Sequence, residues 1–237
     1  MNLKAALYDW GGANEWLFHA LNDWRGPALD RVMWVGTRVA DHALFPVYLT
    51  LISLSAVLLV GRARRFDPRR GDALARRWIG TLSVLCTAYL LDAALIVGAK
   101  DWFDFPRPLL ALPSGQVHVV GGAEYFRGLP SGHASFSMLI AAGLWPMLGL
   151  RGRLGAVALV AWVGVSRVNV GAHFPADVVA AWLTALPIVW VVRHIVQAIL
   201  GDLRATRARL SVYRSKSTWS REQPDLPARN NHEAMPP

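Results

Sequence analysis

Ser166-Arg167-Val168-Asn169-Val170-Gly171-Ala172-His173-Phe174-Pro175-Ala176-Asp177 sets a serine, an arginine, a histidine and an aspartate between two strongly apolar segments. His173 and Asp177 are four apart, so one helical turn brings them to the same face. An arginine, a histidine and a carboxylate at the edge of a bilayer are costly unless they carry function. Two earlier stretches have the same character: Lys100-Asp101-Trp102-Phe103-Asp104-Phe105-Pro106-Arg107-Pro108, and Pro130-Ser131-Gly132-His133. The three read together as one phosphate-handling site, with the remaining segments as the scaffold that assembles it.

The scaffold is apolar. Hydrophobic residues make up 54% of the 237 and charged residues only 17%, which points away from a soluble domain and toward a membrane protein. The 11 tryptophans suit headgroup-level anchoring. Cys86 is the single cysteine and lies in an apolar run, so no internal disulfide can form. A net charge of +9 raises the question of nucleic acid. The basic residues cluster between and after the apolar spans, where cytoplasmic loops carry them, so no nucleic-acid partner is expected.

Leu7, Trp10, Leu17, Leu21 and Trp24 recur at helical spacing, interrupted by Gly11-Gly12. Residues 1–27 are therefore expected to be an amphipathic interfacial segment, with no signal peptide. Pro27 suits the first turn of a second helix, whose charges Asp30, Arg31, Arg38 and Asp41 make it a poor span. Ala43 to Val60, Trp78 to Ala99, His133 to Leu150, Leu154 to about Val165, and Pro175 to Leu200 read as spans. The expected fold is an all-α integral-membrane bundle of five transmembrane helices within residues 28–200, or of six if Trp16 to Val39 also crosses. Residues 201–237 read as a polar, basic cytoplasmic tail, helical at first and then disordered.

Charge fixes the expected orientation. Gly61 to Arg77 holds seven arginines against two aspartates and reads as a cytoplasmic loop. The Arg151/Arg153 turn and the basic tail fall on the same side, so the three motif stretches face outward. Asp92, inside the second span, is expected to make a buried helix-to-helix hydrogen bond. The Pro- and Gly-rich loop from Asp101 to Leu129 is long enough to be functional rather than a connector. Its Pro108 to Pro130 part is expected to choose the substrate. Val117 to Val120 would dip into the headgroup region, Glu124, Tyr125 and Arg127 would read a headgroup, and His118 would be an exposed loop residue.

Binding a phosphomonoester without metal takes several fixed cations and amide donors. Lys100, Arg107 and Arg167 supply the cations, arginine as a planar fork and lysine as a point charge. Ser131 and Gly132 precede a span, where amides at a helix start point at an anion and glycine permits close approach. His173 can attack phosphorus as a nucleophile, and Asp177 can hold its other ring nitrogen. His133 suits the general acid. Ser166 is expected to bond locally or to phosphate, and Pro130 to support the block. Each residue alone has a bland reading: a structural histidine, a snorkelling cation, an ordinary helix start. Their joint placement on one side of one membrane reverses that balance. No carboxylate cluster accompanies the motifs, so neither metal nor other cofactor is expected.

Lys100-x6-Arg107-Pro108, Pro130-Ser131-Gly132-His133 and Ser166-Arg167-x5-His173-x3-Asp177 resemble the three-part signature of the type 2 phosphatidic acid phosphatase (PAP2) superfamily. Every fixed position is present and in order, over about residues 28–195; Leu129 stands where family members often have phenylalanine. The resemblance implies a helical membrane enzyme that removes phosphate from lipid phosphates or diphosphates without metal, with the residue roles given above. It implies phosphatidic acid, phosphatidylglycerol phosphate, undecaprenyl diphosphate or lipid A phosphates as substrates, in a bacterial inner membrane with the site on the periplasmic face and the C-terminus in the cytoplasm. The soluble vanadium haloperoxidases share the signature but have no use for so apolar a scaffold. A lipid phosphotransferase would use the same residues. A non-catalytic phospholipid-binding or transport protein would need only the cations, not His133, His173 and Asp177. The sequence does not fix the oligomeric state.

Overall fold

The computed structural model describes residues 8–219, with side chains through residue 202. Helices α1 (Ala13–Asn22), α2 (Pro27–Val39), α3 (Phe45–Phe66), α4 (Pro68–Phe103), α5 (Gly132–Leu144), α6 (Leu150–Asn169) and α7 (Pro175–Trp219) follow in order. No strand occurs among the described residues. Met1–Val196 form one compact unit, and Gln197–Pro237 a second that is helical as far as Trp219. Residues 220–237 of the expected tail lie outside the described part.

Among the described residues, three helical stretches are long and apolar enough to cross a membrane: His42–Phe66, Pro68–Ala111 and Pro175–Asp202. Outward-facing Leu51, Leu54, Val57 and Leu58 are each more than half exposed, an apolar surface that only lipid can cover. The other two expected spans are helical but differ in kind. α5 has 13 residues, about 20 Å of rise against a hydrocarbon core of about 30 Å. It is buried nearly throughout, so protein rather than lipid surrounds it. Its carbonyl end is capped from α7: Arg193 Nη2 donates to Ala142 O (2.6 Å) and Gly143 O (3.2 Å). A cation at a helix C-terminus also complements the dipole. Arg193 is thus turned inward, toward α5. α6 carries Arg151 and Arg153 in its first turn and Arg167 in its last.

The Arg-rich stretch from Gly61 to Arg77 is not a loop. α3 continues to Phe66, Asp67 alone makes the turn, and α4 begins at Pro68. Asp67 Oδ1 accepts from Arg69 N (2.9 Å) and Arg70 N (3.2 Å), an N-cap strong enough to restart a helix at once. Arg64 then pairs with Asp72 across the turn (2.8 Å). Gly71 lets the two helices meet, since a Cβ there would stand 2.2 Å from Arg64 Cγ.

The core joins Phe45, Val84, Leu85, Ala88, Phe136, Leu139, Val163, Val189 and Val192 from α3 to α7. Phe45 and Tyr89 stack at 3.8 Å between ring centroids. Asp92 is 2% exposed and accepts from Ser135 Oγ at 2.6 Å, the helix-to-helix bond expected of it. A second cluster sets Phe18 of α1 against Ala134, Val168, Phe174, Val178 and Ala181. Trp16 and Trp24 face away, the two-sided pattern of an interfacial helix. Buried asparagines fasten this N-terminal part to the later chain. Asn22 Nδ2 donates to His118 O and Asn169 O, both at 2.8 Å. Asn169 Nδ2 in turn reaches Leu21 O (2.8 Å) and Trp24 O (3.0 Å).

Candidate active site

The reversal between α6 and α7 folds onto Arg167. Its carbonyl accepts from Ala172 N (3.2 Å) and His173 N (3.1 Å). Gly171 makes the turn at φ +75°, and a Cβ there would stand 2.5 Å from His118 O, so only glycine fits on both counts. The turn delivers His173, 1% exposed, beside Asp177, fully buried in the first turn of α7. Asp177 Oδ2 accepts from Phe174 N (3.0 Å) and lies 3.0 Å from His173 Nδ1.

The other ring nitrogen of His173 faces Arg107, with Nε2 3.1 Å from Arg107 Nη1. Guanidinium has no acceptor, so Nε2 carries the lone pair and Nδ1 the proton that Asp177 receives. The contacts thus fix one tautomer of a neutral imidazole. Burial first, then the charges of Arg107, Arg167 and Lys100 and the nearby His133, holds His173 well below the usual histidine range. That agrees with the neutral ring.

Arg107 is itself immobilised. Nε donates to Phe126 O (2.8 Å), Nη1 to Ala172 O (3.1 Å), and its backbone N to Tyr125 O (2.9 Å). The 112–130 loop is therefore a strap bound to the site. Gly128 N donates to Phe105 O (2.8 Å), and Arg127 pairs with Asp101 (2.6 Å). Val120 N donates to Val170 O (3.1 Å). Val117 and Val120 pack into apolar clusters with α1, α2 and the reversal rather than facing a headgroup. His118 is not an exposed loop residue either: its backbone N donates to Asn22 Oδ1 (2.8 Å), and Nε2 lies 3.3 Å from Asp30 Oδ1.

Ser131 is the N-cap of α5 but does not cap with its side chain. Its amide is taken by Asp177 O (3.0 Å), so that N–H is not available to an anion. Its hydroxyl is buried with no hydrogen-bond partner, as is Nε of Arg167. Asp177 Oδ1 is unpartnered too, but the Ser131 hydroxyl and Arg167 Nε are the two donors, and an anionic ligand would take both. Gly132 makes room for His42, whose Cε1 would stand 2.6 Å from a Cβ at that position. The His42 ring also meets the His133 ring edge-on at 5.6 Å.

All eight expected catalytic and phosphate-binding residues lie at this one end of the bundle. Lys100 stands in the last turn of α4. Pro130 is buried beside Ser131. Ser166 bonds locally, donating to Val163 O (2.7 Å) and meeting Thr37 Oγ1 of α2 at 3.3 Å. Three further residues belong to the site. His42 packs on His133. Glu124 pairs with Arg107 and approaches Arg167 at 3.9 Å. The Tyr8 hydroxyl donates to Pro106 O (3.1 Å), and burial together with the charge of Asp177 raises its pKa. Only Glu124 had been singled out, as a headgroup reader; no spacing signal marks the other two. Among the described residues no three His, Cys, Asp or Glu side chains group as a metal site.

Comparison with known proteins places this arrangement. A lipid A 1-phosphatase of Rhizobium etli is 34% identical over 113 residues, 47% of each chain. One from Rhizobium johnstonii is 37% identical over 70 residues, 27% of this chain and 28% of that one. The matches span about half or less of those relatives. In fold, the chain is similar to Aquifex aeolicus LpxE, with a TM-score of 0.60 at 21% identity, covering 74% of this chain and 92% of that one. It is also similar to a transmembrane PAP2 type phosphatidylglycerolphosphate phosphatase from Bacillus subtilis, with a TM-score of 0.57 at 23% identity, covering 83% and 92%. The fold is that of an integral membrane protein. The PAP2 superfamily model matches residues 81–200, half of the chain and all three motif blocks, and the chain belongs to that superfamily.

Proposed function

We propose that the chain is a metal-independent membrane lipid phosphatase acting on a lipid phosphomonoester or diphosphate, with a lipid A type phosphate first among the candidates. The carrying observation is the orientation of His173: Nδ1 on Asp177 at 3.0 Å and Nε2 toward Arg107 at 3.1 Å. That arrangement leaves Nε2 as the unprotonated nitrogen beside an arginine that would hold the phosphate, and it can turn its lone pair to phosphorus once the guanidinium takes the phosphate oxygens instead. The choice of lipid A rests on the partial matches to the two rhizobial relatives.

In this reading the cations and the Ser131 hydroxyl take the phosphate oxygens and stabilise charge during transfer. Nε2 of His173 forms a bond to phosphorus as the bond to the lipid oxygen breaks. His133 gives its proton to that departing oxygen. The phosphorylated imidazole is cationic, and Asp177 balances it. Water then loses a proton to His133 and attacks phosphorus, the P–N bond breaks, and Nε2 recovers its lone pair as phosphate leaves. The site would open to the periplasmic face of a bacterial inner membrane, since the Arg-rich ends of α3 and α4 and the start of α6 lie at the other end of the helices.

The experiment is phosphate release by the purified full-length chain in detergent, from a lipid A type phosphate, phosphatidylglycerol phosphate, phosphatidic acid and undecaprenyl diphosphate. Activity is expected to survive EDTA and to be inhibited by vanadate. Absence of release from every lipid, or loss on chelation restored by Mg²⁺, would overturn the proposal.

A further inference from the structure

The seat that a phosphate would take holds a carboxylate of the chain itself. Glu124 bridges Arg107 Nη1 and Arg167 Nη2. Both arginines are nearly buried, at 8% and 5% side-chain exposure, whereas Glu124 is 45% exposed. Its neighbours are fixed: Tyr125 O and Phe126 O accept from Arg107, and Arg127 pairs with Asp101. Gly121, at φ +98°, and Gly122 precede it. The strap backbone is therefore held in place, while the Glu124 side chain, 45% exposed, borders solvent into which it can turn.

We propose that Glu124 guards the anion seat: its carboxylate occupies the two arginines, and a ligand enters only by displacing it, which leaves weakly pairing ligands outside. A terminal phosphate carries about −1.5 to −2 charges near neutrality and three free oxygens. A phosphodiester, the headgroup linkage of ordinary phospholipids, carries one charge and two free oxygens. The bilayer presents diesters to the site at very high concentration. Without a competing carboxylate they would fill the seat; with it, the terminal phosphate of a substrate still enters. The guard sets a floor on affinity rather than a preference for one phosphate over another, because any ligand's apparent affinity is reduced by the same fraction of time that the seat is closed.

This inference rests on the proposed phosphatase reading, yet its test needs no turnover. Binding of inorganic phosphate and of dimethyl phosphate to the full-length chain in detergent is measured by calorimetry, for wild type and Glu124→Gln. Loss of a charge-assisted competitor is expected to tighten both ligands by the same factor, roughly ten- to a hundredfold. At subsaturating substrate, diester lipid added to the micelles should then inhibit Glu124→Gln at concentrations that leave wild type unaffected. If Glu124 acted only as a diffuse negative charge, the gain for the dianion would be near the square of the gain for the monoanion. That result, or phosphate affinity unchanged or weakened in Glu124→Gln, would overturn the proposal. Failure of wild type to release phosphate from any lipid would instead overturn the phosphatase reading.

Discussion

Replacing Asp177 by Asn separates two jobs of one carboxylate. Oδ2 accepts from both His173 Nδ1 and Phe174 N, each at 3.0 Å. The Phe174 amide can only donate, so the new side chain must present its carbonyl oxygen there. The same oxygen still receives the His173 proton, and the tautomer is kept. What is lost is the charge opposite the imidazole as it becomes cationic. With charge centres about 4 Å apart and an effective dielectric constant of about 20, that attraction is about 4 kcal/mol. At about 1.4 kcal/mol per tenfold, kcat should fall about 10²–10³-fold, with folding intact. Asp177→Ala instead strands two buried donors at about 1–3 kcal/mol each, so it should also lower Tm. The assay is phosphate release under saturating lipid, with Tm read by fluorimetry on the same samples. A loss under tenfold in Asp177→Asn would refute a cationic His173 in the transition state. A loss equal to that of Asp177→Ala would refute the pinned tautomer.

Three further outcomes follow from the same geometry. His133→Ala should cut hydrolysis of an alkyl phosphate by about 10²–10⁴-fold while sparing much more of the reaction with p-nitrophenyl phosphate, whose leaving group needs little protonation; equal losses on both would remove His133 as the acid. Gly132→Ala should displace the His42 ring, destabilising by about 1–3 kcal/mol and lowering activity, and normal activity with an unchanged Tm would show that His42 does not position His133. In a Cys86→Ser background, Gly122→Cys should react with an impermeant thiol reagent in intact cells and Arg65→Cys should not; the opposite pattern would invert the proposed orientation.

The sequence carried the three motif blocks clearly because phosphate chemistry demands particular residue types at fixed spacings, and Lys100, Arg107, Ser131, Gly132, His133, Arg167, His173 and Asp177 do gather at one end of the bundle. Element types were legible for the same reason that Pro27 and the long apolar runs are: local propensity and hydropathy decide them. What failed was context. Seven arginines between two apolar runs read as a loop, but the Asp67 cap and Pro68 let the helix restart within one residue. The short α5 stops just before Pro146, a break that a reading by hydropathy alone ran through to Leu150, and Arg193, some fifty residues later, then caps its carbonyls. His42 and Tyr8 join the site only through tertiary contact, which no local pattern reports. Glu124 was visible as a loop acid, but its pairing with Arg107 and Arg167 needs the strap folded back.

The most direct test of the account is to trap the covalent intermediate. Turnover of a lipid carrying a ³²P-labelled terminal phosphate is quenched in base within the first catalytic cycle, and the labelled peptide is mapped. The account predicts acid-labile, base-stable label on the peptide containing His173, lost in His173→Ala together with activity. Label on any other residue, or lipid hydrolysis persisting in His173→Ala, would contradict it.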